Sequence, residues 1–200
     1  MSGRLPARLV LATGNAGKLR ELRAILAPWR VEVLPLSDFT DSAAVENGDS
    51  FVENALLKAR FAAKAAGLPA IADDSGLEVD ALGGAPGIHS ARYAGADAAD
   101  AANNAKLMRE MNRVPDARRG ARYRCAMVFV VRPDDPAPVV CEASWEGRIA
   151  SAPRGDGGFG YDPLFLVAGT ERTAAEFEAG EKNLVSHRGK ALRALVAALG

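Results

Sequence analysis

The chain opens on a strand, a glycine turn, a helix and a second strand, and this succession constrains the fold more than any other feature. Leu9-Val10-Leu11-Ala12 is a short apolar run that reads as a buried strand. Thr13-Gly14-Asn15-Ala16-Gly17-Lys18 follows, and then Leu19, Leu22, Ile25 and Leu26 recur at helical spacing. Asn15 or Thr13 can cap this helix, and Pro28 ends it. Val31-Glu32-Val33-Leu34 is the second strand. Such a βαβ crossover is nearly always right-handed. The sheet therefore starts parallel, and the glycine turn lies at the carboxyl end of the first strand, feeding a helix N-terminus. Backbone N–H groups at such a place attract phosphate, and Lys18 adds a cation. The turn is not a Walker A loop, because Gly14 and Gly17 are too close together and Leu19 follows the lysine. Taken alone, TGNAGK reads equally well as a helix-capping turn with a solvated lysine.

The stretch Pro69 to Tyr93 organises the rest. Ala70-Ile71-Ala72 reads as a buried strand that ends in two carboxylates, Asp73 and Asp74, and turns through Ser75-Gly76. Carboxylates at the end of a buried strand cost free energy unless something pairs with them. In an open α/β sheet that end is also where ligands bind. A divalent metal is a natural partner for hard oxygen ligands there. The competing reading is a capped turn, since Asp-Ser-Gly is ordinary turn chemistry. Beyond Leu77–Leu82, which could be strand or loop, Gly83-Gly84-Ala85-Pro86-Gly87 suggests a shaped loop closed by Arg92 and Tyr93.

Between these landmarks, Ser50-Phe51-Val52-Glu53 forms a capping box, and its helix runs to about Ala66. Lys58 on that helix reads as a surface lysine. Asp97 to Met111 is a helix with Leu107, Met108 and Met111 inward and Asn103 and Asn104 in its interior. Ala121–Val131 and Val139–Trp145 are strands joined by a polar turn, an antiparallel hairpin. The sheet is therefore mixed. Gly155-Asp156-Gly157-Gly158-Phe159-Gly160-Tyr161-Asp162-Pro163 presents an aromatic ring on flexible backbone, which suits stacking on a planar ligand. The alternative is a glycine turn whose aromatics tuck into the core. Leu164–Val167 is a strand, Thr173–Lys182 a short helix or loop, and Ser186 caps the last helix. That helix begins with His187, Arg188 and Lys190, and cations there oppose the macrodipole unless an anionic or carbonyl-bearing ligand docks.

With 25 basic and 25 acidic residues in 200, the formal net charge is zero and no global basic field argues for nucleic acid. One domain with room for a second small lobe is expected at this length. Cys125 and Cys141 lack CxxC spacing and read as small core hydrophobes. No apolar run of transmembrane length and no signal peptide is visible, so a soluble cytoplasmic protein is the default expectation. Phosphates on the first loop, a metal bridging Asp74 to them, cations at Lys18, Lys182 and Arg188, and a base on Phe159 make a nucleotide site with hydrolytic machinery.

ATGNAGKLREL, FVENALLKAR, ADDSGLEVDALGGAPGIHSARYAG, GFGYDPLF and SHRGKAL, in this order, resemble the inosine triphosphatase-like (Ham1/RdgB-type) noncanonical purine nucleoside triphosphate pyrophosphatases. The resemblance covers nearly the whole chain. It implies one α/β domain over residues 1–200, an elongated mixed sheet with flanking helices and two lobes around a nucleotide cleft. It implies magnesium-dependent hydrolysis of ITP, dITP and XTP to the monophosphate and pyrophosphate, clearing deaminated purines, and a homodimer. On matching positions, Thr13, Gly14, Asn15, Ala16, Gly17 and Lys18 would hold the triphosphate. Asp74 would be the general base and a metal ligand, and Ser75 a substrate contact. Phe159, Gly160, Tyr161 and Asp162 would contact the base, with Phe159 stacked on it. Lys182, His187 and Arg188 would complete the pocket and read the 6-oxo group. Other members often carry two consecutive acidic residues before the second helix; here the loop reads SAAVENG, and Glu46 is the glutamate available as metal ligand.

Other classes fit less well. A nucleotide sensor without catalysis would not need the intact Asp73-Asp74 pair. DDSGLEVD lacks the DxDx[TV] arrangement of haloacid-dehalogenase-like phosphatases. Arg118, Arg119, Arg122 and Arg124 read as a solvated strand face rather than a nucleic-acid footprint. No membrane partner is expected.

Overall fold

The computed structural model describes residues 5–200. The protein is an α/β fold with a mixed six-stranded sheet and flanking helices. Strand order is β2-β1-β3-β4-β5-β6. The chain forms two compact units, each with its own core. The first runs up to Asp74 and takes in Cys125–Ala143 and Arg188–Gly200, and the second holds Ser75–Arg124 and Ser144–His187.

In the first unit, β1 (Arg8–Leu11) pairs in parallel with β2 (Glu32–Pro35), Leu9 beside Val33. It pairs in parallel with the start of β3 (Ala70–Val79), Val10 beside Ala70. The βαβ expectation holds: α1 (Ala16–Leu26) makes the crossover. Asn15 is its N-cap, its side chain accepting the Lys18 N–H at 3.0 Å, while Thr13 accepts the Asn15 N–H. α2 (Phe51–Ala66) is capped by Ser50, which accepts the Glu53 N–H. Glu53 reaches back to the Asp49 N–H rather than to Ser50, so only half of the expected capping box forms. The last helix, α5 (His187–Ala198), buries Ala191, Leu192, Leu195 and Val196 against Leu9, Leu11, Ile71 and Met127. Each fully buried leucine there contributes about 1.5–3 kcal/mol, which fixes where the helix can lie.

The second unit contains α3 (Asp100–Met111) and α4 (Ala179–Val185). β4 (Gly120–Val130) and β5 (Val139–Ile149) form the expected hairpin pair of strands, each shared with the first unit. β6 (Phe165–Val167) pairs antiparallel with β5, Ile149 beside Phe165. Leu77, Leu107, Met111, Tyr123, Trp145 and Phe165 form the core.

Two expectations need correction. The chain does not turn at Ser75-Gly76, because β3 continues extended to Val79. β3 lies between β1 and β4 in the sheet, so pairing overrides the local turn preference of Asp-Ser-Gly. The basic run is also not wholly solvated. Arg119 is 5% exposed, and its guanidinium donates to the carbonyls of Ile149 (2.7 Å), Met111 (2.9 Å), Ala150 (2.8 Å) and Val114 (3.3 Å). It joins the C-terminus of α3 to the end of β5, while Arg122 pairs with Asp80 and Glu146.

Candidate active site

Successive residues of a strand point to opposite faces. Because β3 runs straight through Asp73 and Asp74, the adjacent carboxylates face different partners. Asp73 is fully buried, with Oδ2 at 2.9 Å from Lys18 Nζ and 3.3 Å from Arg188 Nε. Arg188 also pairs with Glu21. Burial alone would push the Asp73 carboxyl up, but Lys18, Arg188 and Lys58 outweigh it and hold the group well below the usual carboxylate range. Lys18, in the first turn of α1, is thus oriented by a carboxylate on β3.

Asp74 belongs to a second cluster. Its Oδ1 accepts from Lys58 Nζ at 2.7 Å, and the same ammonium lies 3.1 Å from Glu46 Oε2. Burial raises the Asp74 pKa, and Lys58 offsets this only in part, leaving a carboxylate more basic than usual. Burial opposes the Lys58 charge, but Asp74, Asp73 and Glu46 together keep it firmly protonated. Glu46 is set by its loop. The Gly48 N–H donates to Asn54 Oδ1 on α2 at 2.9 Å. A Cβ on Gly48 would lie 2.6 Å from that of Glu53, so this close approach requires glycine.

Asp74 and Glu46 converge on one positive charge, here the Lys58 ammonium. Among the described residues no group of three or more His, Cys, Asp or Glu gathers around a common point. Two carboxylates fit Mg2+, which keeps several waters and takes further ligands from substrate phosphates.

The second unit holds the other candidates. Asp162 is 2% exposed, and its Oδ2 meets Lys182 Nζ at 2.5 Å and the Phe159 N–H at 2.8 Å. Its Oδ1 accepts from the Tyr123 hydroxyl at 3.2 Å. Gly158 (φ +73°) passes so close to this carboxylate that a Cβ would collide with Oδ2. Phe159 is half-buried, with Lys182 Nζ 4.9 Å above its ring centroid. His187 stacks on Tyr123, centroids 4.6 Å apart and planes 8° apart. Tyr161 is buried and its hydroxyl donates to the Ser90 carbonyl at 2.8 Å. Asp162 and Tyr161 therefore shape the loop from within, while Phe159 and Gly160 lie nearer its surface. Ser75 is half-buried at the start of this unit.

The structure thus brings Thr13–Lys18, Glu46, Asp73, Asp74 and Arg188 into one unit, and Phe159–Asp162, Lys182 and His187 into the other. Arg188 lies with Lys18 on Asp73, not with His187's aromatic stack. Sequence reasoning missed Lys58, Glu21 and Tyr123. Phe51, Asn54, Ala55, Lys58, Ala59 and Ala62 form one helical stripe, so Lys58 sits on the buried face of α2. That position was the signal.

The Ham1 family model matches residues 9–198. The chain is 59% identical over 189 residues to the dITP/XTP pyrophosphatase of Thioalkalivibrio sulfidiphilus, covering 94% of this chain and 96% of that one. It is 53% identical over 192 residues to the dITP/XTP pyrophosphatase of Escherichia coli K12, covering 96% and 98%. A solved HAM1 protein from Coxiella burnetii superposes with a TM-score of 0.88 at 46% identity, covering 96% of this chain and 98% of that one.

Proposed function

The chain belongs to the Ham1 family, and from that premise we infer that it is a nucleoside triphosphate pyrophosphatase. Its substrates are dITP, XTP and ITP, cut to the monophosphate and pyrophosphate so that deaminated purines leave the nucleotide pool. The observation that supports this best is the pair of opposed clusters on β3. Asp73 orients the phosphate-loop lysine, and Asp74, held basic beside Lys58 and Glu46, serves as general base.

The Thr13–Lys18 turn takes the triphosphate on backbone N–H groups at the start of α1 and on Lys18. Asp74 accepts the proton of the attacking water as it approaches the α-phosphorus. Lys58, released from part of its pairing, faces the charge that develops on the phosphate oxygens. Glu46 and Asp74 would hold Mg2+, which when bound supplies charge neutralisation and polarises the phosphate oxygens. In the second unit Phe159 stacks on the base. Lys182 and His187, with backbone N–H groups, offer donors to a 6-oxo group. Adenine presents an amino group instead, and each buried donor left unpaired costs about 1–3 kcal/mol, roughly tenfold to hundredfold in preference. Arg188, itself paired with Glu21, holds Asp73. Magnesium as the cation and a homodimeric assembly follow the resemblance to the family, and a cytoplasmic location is part of the same proposal. No helix among the described residues is long and apolar enough to cross a membrane.

Steady-state turnover of dITP, XTP and ITP against ATP and GTP, with Mg2+ and with the Asp74→Asn variant alongside, tests the reading. A preference for the 6-oxo substrates over ATP, and a loss of at least about a hundredfold in the variant, are expected. Tight binding without turnover would instead make the protein a sensor.

A further inference from the structure

Two asparagines sit inside α3, where asparagine is a poor helix former, and the reaction above uses neither. Asp100, Asn103, Asn104, Leu107, Met108 and Met111 fall on one helical stripe, with Asp100 exposed at its start, Asn104 half-buried and Asn103 in a position that packing would give to an apolar residue. Asn103 is buried. It accepts the Ala94 N–H at 2.8 Å and donates to the Ala91 carbonyl at 3.1 Å, which moors the segment ending in Arg92-Tyr93.

Asp100 and Asn104 act on a different segment. Asp100 Oδ2 accepts the Gly160 N–H at 2.7 Å, and Asn104 Nδ2 donates to the Gly160 carbonyl at 2.8 Å. Two side chains one helical turn apart therefore hold both polar groups of one residue, the one that follows Phe159. Asp100 is not spent as a helix cap, since the N-cap is Ala99 and makes no side-chain cap bond. Among the described residues Asn104 Oδ1 is buried with no hydrogen-bond partner, so its contact with Gly160 sets the amide. On the other side, Asp162 holds the Phe159 N–H. Phe159 thus stands between two anchors, one from its own loop and one from α3.

We propose that Asp100 and Asn104 are positioning residues that set the Phe159 ring for the purine base, so that α3 governs base affinity without touching the substrate. The proposal rests on the reading of Phe159 as the base-stacking residue. In Asp100→Ala and in Asn104→Ala the KM for ITP rises on the order of tenfold, the loss of one retained hydrogen bond, while kcat stays within about twofold. Competitive inhibition by inorganic tripolyphosphate, which has no base, is unchanged. Asp100→Asn keeps an acceptor oxygen and recovers most of the affinity. Hydrogen exchange of the peptide spanning residues 158–162 is measured on the same proteins without substrate. It speeds up in the alanine variants and stays near wild type in Asp100→Asn. Unchanged exchange and unchanged KM in folded alanine variants would overturn the proposal, as would equal losses toward ITP and tripolyphosphate. If the wild-type protein made no IMP, the functional reading would fail, and the exchange comparison would still decide whether α3 seats the loop.

Discussion

Replacing Asp73 by asparagine keeps the shape of the side chain and removes its charge. In the structure that charge is fully buried and faces Lys18 at 2.9 Å and Arg188 at 3.3 Å. Removing one partner of a buried ion pair costs about 3–5 kcal/mol, because the other charge stays buried and uncompensated. Two features place Asp73→Asn at the low end. Arg188 keeps Glu21, and the Lys18 side chain, 15% exposed, can turn toward water. A loss of about 3 kcal/mol at roughly 2–4 °C per kcal/mol lowers Tm by about 6–12 °C. The folded carboxyl titrates below its ordinary value of 3.8, so its contribution is full above about pH 4 and fades only as pH falls toward the folded value. The difference should therefore be uniform between about pH 5 and pH 8. Thermal unfolding followed by circular dichroism is the assay, run near pH 7 at about 0.1 M and about 0.5 M NaCl. A buried pair is little screened, so the difference survives the salt. The double variant Asp73→Asn, Arg188→Met should lose less than the sum of the single losses. A Tm within about 2 °C of wild type, or a difference that vanishes in salt, would refute the assignment of Asp73 as a buried counter-ion.

Arg119→Lys cannot reach four carbonyls from one ammonium, so urea unfolding should show a loss of about 2–4 kcal/mol; a loss below about 1 kcal/mol would contradict the clamp. Asp135 accepts the Val131 N–H at 2.8 Å and the Ala137 N–H at 3.0 Å, which holds its carboxyl below the ordinary value. Asp135→Ala should therefore lower Tm by a few degrees above about pH 5, with the gap closing as pH falls below about 4, and a gap constant down to acid would count against this. Burial pushes the Cys125 thiol up to about 12, whereas Cys141 is half-buried. A disulfide reagent should titrate one thiol in the native protein and the second only after unfolding; two fast thiols would show the Cys125 environment to be open.

Much of this was legible in the sequence because period and punctuation agree with the packing. The βαβ start, the α2 cap at Ser50 and the β4–β5 hairpin all follow local rules that the tertiary structure leaves intact. The turn expected at Asp-Ser-Gly failed because neighbouring strands on both sides outweigh a two-residue preference, and charges on helices far along the chain neutralise Asp73. Long-range pairing of this kind has no local signature. A subtler signal was present in the helices. Lys18 and Glu21 precede Leu22 and Ile25 on one stripe of α1, Lys58 shares the stripe of Ala55 and Ala59, and Arg188 precedes Ala191 and Leu192 on α5. Polar residues on the apolar stripe of a helix mark the cluster around Asp73 and Asp74 here, and Asn104 repeats the pattern on α3. Periodicity read only for its apolar members passes over them.

The most direct test of the central claim is the fate of isotopic oxygen when ITP is hydrolysed in 18O-labelled water with Mg2+. Attack on the α-phosphorus with Asp74 as base gives one IMP and one pyrophosphate per turnover, with the label in IMP and no inorganic phosphate. Label in inorganic phosphate together with IDP would move the cleavage to the terminal phosphate and contradict the account.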